Sequence, residues 1–120
     1  MNDQEKEKIL KYEFFVAGVK YHELHLCIGE LEIGDVLSLV TEPTNEYDPN
    51  AVKIEYQSPA LGKGVMIGYV PATISAAVTA ALVYSELKCE IVELNKSEKP
   101  WKQVRVAITK IEEEKEDEVS

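Results

Sequence analysis

Apolar residues along the chain recur in short runs separated by turn-forming clusters, and in most of these runs the spacing has a period of two. Residues 12–19, YEFFVAGV, are aromatic and β-branched and reach a glycine near their end, which predicts a first strand. In residues 35–41, DVLSLVT, Val36, Ser38 and Val40 alternate with Leu37 and Leu39. Both faces are then mostly apolar, and a buried, central strand is predicted. Residues 51–56, AVKIEY, alternate apolar and charged side chains, and the turn SPALGKG leads from them into VMIGYV, so the two segments read as a hairpin. Two closing strands, LKCEIVEL and QVRVAITKI, flank the charged turn NKSEKPW. Residues 20–32, KYHELHLCIGELE, set Leu24, Leu26 and Ile28 among polar neighbours and suit irregular chain as well as a short strand.

One segment breaks the period of two. Behind Pro71, ATISAAVTAALVYSEL has the alanine content and 3.6-residue spacing of a helix over residues 72–86. Ile74, Val78, Ala81 and Leu82 are expected to face the core, and Ala76, Ala77, Ala80 and Ala81 to let the helix lie close to the sheet. About six short strands with one main helix inserted before the last two make the fold mainly β. A small OB-like or SH3-like barrel accommodates them better than a sandwich, because closure removes exposed edges. No internal repeat is visible.

At 120 residues the chain is one domain long, and its 45% hydrophobic content is ordinary for a globular protein. No apolar run approaches the ~18 residues of a membrane-spanning helix, so no membrane partner is expected. The start, MNDQEKEKILKYEFF, lacks the pattern of a secretory signal, which points to cytoplasmic residence. Cys27 and Cys89 then read as buried free thiols. The net charge of −9 counts against a partner held by phosphate contacts alone, but the last ten residues, IEEEKEDEVS, carry −5 of it. The expected organisation is a frayed segment over 1–11, one domain over 12–111 and an acidic disordered tail over 112–120. A body of −4 admits a small nucleic-acid site built on shape and stacking.

The loop EPTNEYDPN concentrates the candidate chemistry, since Asn45, Tyr47, Asp48 and Asn50 put an aromatic face beside amides and a carboxylate. Asn and Asp in such loops commonly bond to their own backbone, whereas an exposed tyrosine gains little unless it stacks on something. Lys20 beside Tyr21 offers a phosphate partner next to a ring. Tyr69, in a strand, reads first as half-buried packing.

With FVAGVKYH, GDVLSLVTEPTNEYDPNAVKI and GYVP before a helix, the chain resembles the HIRAN domain family over residues 12–111. The run E-P-x-N-x-Y-D-x-N-A-V is the most specific part of the resemblance. It implies a modified OB-like barrel in a stand-alone, bacterial-type protein that binds the 3′ end of single-stranded DNA. On that resemblance Tyr21 and Tyr47 match the rings that hold the terminal nucleotide, Asp48 the carboxylate bonding the 3′-hydroxyl, and Asn45 a base-contacting amide. Lys20 stands in place of an arginine, keeping the charge without the planar fork. Tyr69 stands where a eukaryotic relative has histidine, and Pro71-Ala72 replaces a more basic entry to the helix. A role in DNA repair or processing, beside a helicase or nuclease partner, follows from the same likeness, and RNA ends are also admitted.

No enzyme is expected. His22, His25, Cys27 and Cys89 fit no metal-ligand spacing, with neither a paired CxxC nor HExxH, and LGKG lacks the rest of a phosphate-binding loop. Neither a metal nor another cofactor is therefore expected. The competing reading is a small-barrel module that binds a protein partner and no DNA.

Overall fold

In the computed structural model, which describes residues 9–19 and 22–111, the alternating segments form six strands. They are β1 (Ile9–Phe15), β2 (Val36–Thr41), β3 (Val52–Ser58), β4 (Lys63–Tyr69), β5 (Leu87–Leu94) and β6 (Val104–Lys110). All pairings are antiparallel, in the order β1-β6-β5-β2-β3-β4. The sheet curls into a half-barrel. Two α-helices among the described residues, the single turn α1 (Leu24–Cys27) and the main helix α2 (Ala72–Tyr84), interrupt the strands, with α2 inserted before the last pair, and a 3-10 turn over Pro100–Lys102 lies between β5 and β6. No described helix is long and apolar enough to cross a membrane.

Period-two alternation becomes burial most clearly in β3, where Val52, Ile54, Tyr56 and Ser58 point inward. Val65 and Ile67 of β4, Cys89 and Ile91 of β5, and Val104, Val106 and Ile108 of β6 complete the same interior. The chain past β1 then crosses to β4. Ala17 and Tyr69 exchange two backbone hydrogen bonds of 2.9 and 2.8 Å, forming a single bridge between the two ends of the strand order. Gly68 makes this approach possible, because a Cβ there would run into the Ala17 carbonyl oxygen and the Val16 side chain.

Several sequence expectations are corrected. β1 begins at Ile9 and ends at Phe15 rather than spanning 12–19, since its extent follows its pairing with β6 from Ile9↔Lys110 to Phe15↔Arg105. Residues 24–27 are helical, and the buried positions are Leu24, Cys27 and Leu31, at helical rather than alternating spacing, while Leu26 is exposed. β2 is interior to the sheet order, yet Val36 is 57% exposed and only Leu37 is buried among its residues, because nothing described covers its outer face. α2 ends at Tyr84, where Ser85 becomes extended and leads into β5. Its buried residues are Ser75 and Val78, with Ile74 and Leu82 packed against the core; Ala76, Ala77 and Ala80 face outward. The close approach assigned to those alanines is therefore made by other positions. The expected acidic tail and residues 1–8 lie outside the described residues.

Candidate nucleic-acid interface

The loop joining β2 to β3 is held first by its own backbone. The Glu42 N–H donates to the Ala51 carbonyl at 2.9 Å, that of Ala51 to Asp48 at 2.9 Å, and that of Asn45 to Glu42 at 3.0 Å. The Asn45 side-chain carbonyl accepts the N–H groups of Tyr47 and Asp48 at 2.8 and 3.0 Å, the turn-forming use of asparagine expected in a Pro-rich loop. These bonds leave the Tyr47 ring without packing of its own, 93% exposed to solvent.

Asp48 is anchored on both oxygens. The Asn50 N–H donates to Oδ1 at 2.8 Å, and the Ser75 hydroxyl of α2 donates to Oδ2 at 2.6 Å. An ionised carboxylate has about four acceptor positions, so roughly two remain for a ligand. Thr79 donates from α2 to the Asn50 carbonyl at 2.9 Å, a second link between helix and loop.

A cleft of about 470 Å3 opens between this loop, the chain past β1, the end of β4 and the start of α2. Asn45, Tyr47, Asp48 and Ala51 line one side, Ala17, Gly18 and His22 another, and Tyr69, Val70 and Ala72 the rest. Gly18 has φ +69°, a left-handed turn that suits glycine and carries the chain away from the bridge at Ala17. The His22 ring meets Tyr69 edge-on, with centroids 5.3 Å apart.

Behind the cleft, the Tyr69 hydroxyl donates to Glu42 Oε1 at 2.6 Å. The Asn45 amide also donates to Glu42 Oε1 at 3.1 Å and to the Tyr69 oxygen at 3.4 Å. Hydrogen bonding to Glu42 and then burial push the Tyr69 phenol up to about 12, and the bond from Tyr69 holds the Glu42 carboxyl below its ordinary value. Lys53 lies 3.9 Å from Glu42 Oε2 and 3.3 Å from Glu55 Oε2. Among the described residues that line the cleft, none is lysine or arginine.

Four of the sequence-predicted residues, Asn45, Tyr47, Asp48 and Tyr69, thus meet at one cleft, while Lys20 and Tyr21 lie outside the described residues. The polar atoms of Asn45 and the Tyr69 hydroxyl already have partners within the fold. Sequence reading weighed His22 only as a metal ligand, gave Glu42 no place in the site and passed over Ser75. Only Ser75 carried a signal, as a hydroxyl one residue from Ile74 and three from Val78 on an inward helix face. Of the residues weighed for a metal, Cys27 is fully buried and His25 exposed. Burial pushes the thiols of Cys27 and Cys89 up to about 11 and about 12, away from the reactive thiolate.

The fold has a counterpart. The crystal structure of the HIRAN domain of human HLTF superposes with a TM-score of 0.62 at 18% identity, covering 94% of this chain and 87% of that one. No curated protein matches in sequence. The family model of the HIRAN domain matches residues 9–110. A match over most of its length, on the half-barrel and with the loop cleft described above, makes this chain a member of the HIRAN domain family, known as a DNA-binding module.

Proposed function

We propose that the cleft binds the 3′-hydroxyl end of single-stranded DNA. The observation that carries this reading is the Tyr47 ring, 93% exposed at the rim of a cleft that the Asp48 carboxylate also borders. Stacking a base on such a ring contributes ~1 to 3 kcal/mol. A carboxylate with spare acceptor positions welcomes a hydroxyl and repels a phosphate, so it distinguishes a strand's end from its interior. The described lining residues, none of them lysine or arginine, favour the same ligand, a terminal nucleoside over a run of phosphates. Lys20 and Tyr21 fall in sequence between Gly18 and His22, both of which line the cleft, and the HIRAN likeness assigns them the roles of a phosphate partner and a second ring. Asn45 and Tyr69 contribute by shaping the loop and wall. In a cell the domain would present strand ends to a helicase or nuclease partner in DNA repair, in the cytoplasm.

The test is anisotropy of a 5′-labelled oligonucleotide at low and moderate salt, ending in either a 3′-hydroxyl or a 3′-phosphate. The hydroxyl end is expected to bind roughly tenfold tighter or more, the equivalent of one charge-assisted hydrogen bond. The salt dependence should be shallow, because few phosphates are neutralised. Equal binding of both ends would reduce the function to nonspecific strand binding. No binding at low salt would transfer the site to a protein partner.

A further inference from the structure

Ser75 is one of two polar residues buried in the described chain, 2% exposed, on the inward face of α2 between Ile74 and Val78. Serine is a weaker helix former than alanine, and a hydroxyl on an apolar face needs a partner. Its single proton has two acceptors within reach, Asp48 Oδ2 at 2.6 Å and the Ala72 carbonyl at 3.2 Å. The shorter, charge-assisted contact is the stronger one. Asn50 holds Oδ1 from the loop, so the two donors fix the carboxylate plane from opposite elements. Without Ser75 the carboxylate keeps only the donor from its own loop and turns about its side-chain torsions.

From this we infer that Ser75 is a positioning residue for end recognition: it orients Asp48 so that the unused acceptor positions of the carboxylate face the cleft. The inference rests on the proposed binding of a 3′-hydroxyl end. It assigns selectivity to a residue that does not itself line the cleft, and leaves affinity for the strand to Tyr47.

The experiment compares the unmodified protein with Ser75→Ala and Ser75→Thr, each titrated with oligonucleotides ending in a 3′-hydroxyl and in a 3′-phosphate. Circular dichroism and thermal melting establish that each variant is folded. Ser75→Ala should lower the hydroxyl-to-phosphate preference at least fivefold, while binding of the phosphate-ended strand stays within twofold of the unmodified protein. A merely structural role would weaken both strands alike. Ser75→Thr, which keeps the hydroxyl, should retain the preference. A folded Ser75→Ala with the full preference of the unmodified protein would overturn the inference and leave the end-binding reading standing. No preference in the unmodified protein would remove that reading, and this one with it.

Discussion

The Tyr69 hydroxyl donates a 2.6 Å hydrogen bond to Glu42 Oε1, tying the end of β4 to the start of the loop that carries Tyr47 and Asp48. The fold holds the tyrosine proton more tightly than the unfolded chain, whose tyrosines release it near ~10. Stability from this bond is therefore full below pH ~10 and is lost as the pH rises toward about 12. Glu42 acts in the opposite direction: its lowered value supplies stability above the ordinary carboxylate range, which is lost as the pH falls through its folded value. Tyr69→Phe should lower stability by ~1 kcal/mol near neutrality and flatten both limbs. Urea denaturation across pH, with phenolate absorbance followed in parallel, measures this.

Tyr47→Ala removes a ring that supports nothing in the fold. Its effect on stability should stay within ~0.5 kcal/mol. Binding of single-stranded DNA should weaken by roughly 5- to 150-fold, the equivalent of ~1 to 3 kcal/mol, whichever group ends the strand. Denaturation and anisotropy on the same preparation separate the two effects.

Gly68→Ala places a methyl group against the Ala17 carbonyl and the Val16 side chain. Backbone cannot yield as a flexible side chain does, so the bridge at Ala17 must shift. A destabilisation of ~1 to 3 kcal/mol is expected in thermal melting, with faster amide exchange at Ala17 and Tyr69, whose N–H groups form the bridge.

The helix face is tested by contrast. Val78 is fully buried, and Val78→Ala should lose ~2 kcal/mol from two methylene equivalents and the space they leave. Ala76→Leu, on the outward face, should change stability by less than ~0.5 kcal/mol. Denaturant midpoints of the two variants reveal whether the inward stripe runs through 75 and 78 or through the alanines.

Alternation identified β3 to β6 because each buries one face, and Val52, Ile54 and Tyr56 announce that face unaided. It failed at Leu24, Leu26 and Ile28, where a spacing of two among leucines imitates a strand although burial follows Leu24 and Cys27. In α2 the abundance of alanine blurs every face, and the helix meets the loop through Ser75 on Asp48, a contact spanning 27 residues that no local pattern contains. The same distinction applies at the cleft. Asn45, Tyr47 and Asp48 were visible because turn chemistry and an unsupported ring are local properties. The bond between Glu42 and Tyr69 depends on the β2–β3 loop reaching the end of β4, so each residue alone had an ordinary explanation.

The bridge between Ala17 and Tyr69 is a seam, and the cleft is cut along it. Ala17 and Gly18 line it from one margin, Tyr69 and Val70 from the other, and residues of the β2–β3 loop complete the lining. Whatever lodges there presses on both margins, so parting the seam empties the cleft, and filling the cleft keeps the seam shut. Occupancy and closure are then one thermodynamic variable, and a ligand stabilises the half-barrel in proportion to the logarithm of its concentration over its dissociation constant. A fragment of the chain that lacks either margin holds half a groove.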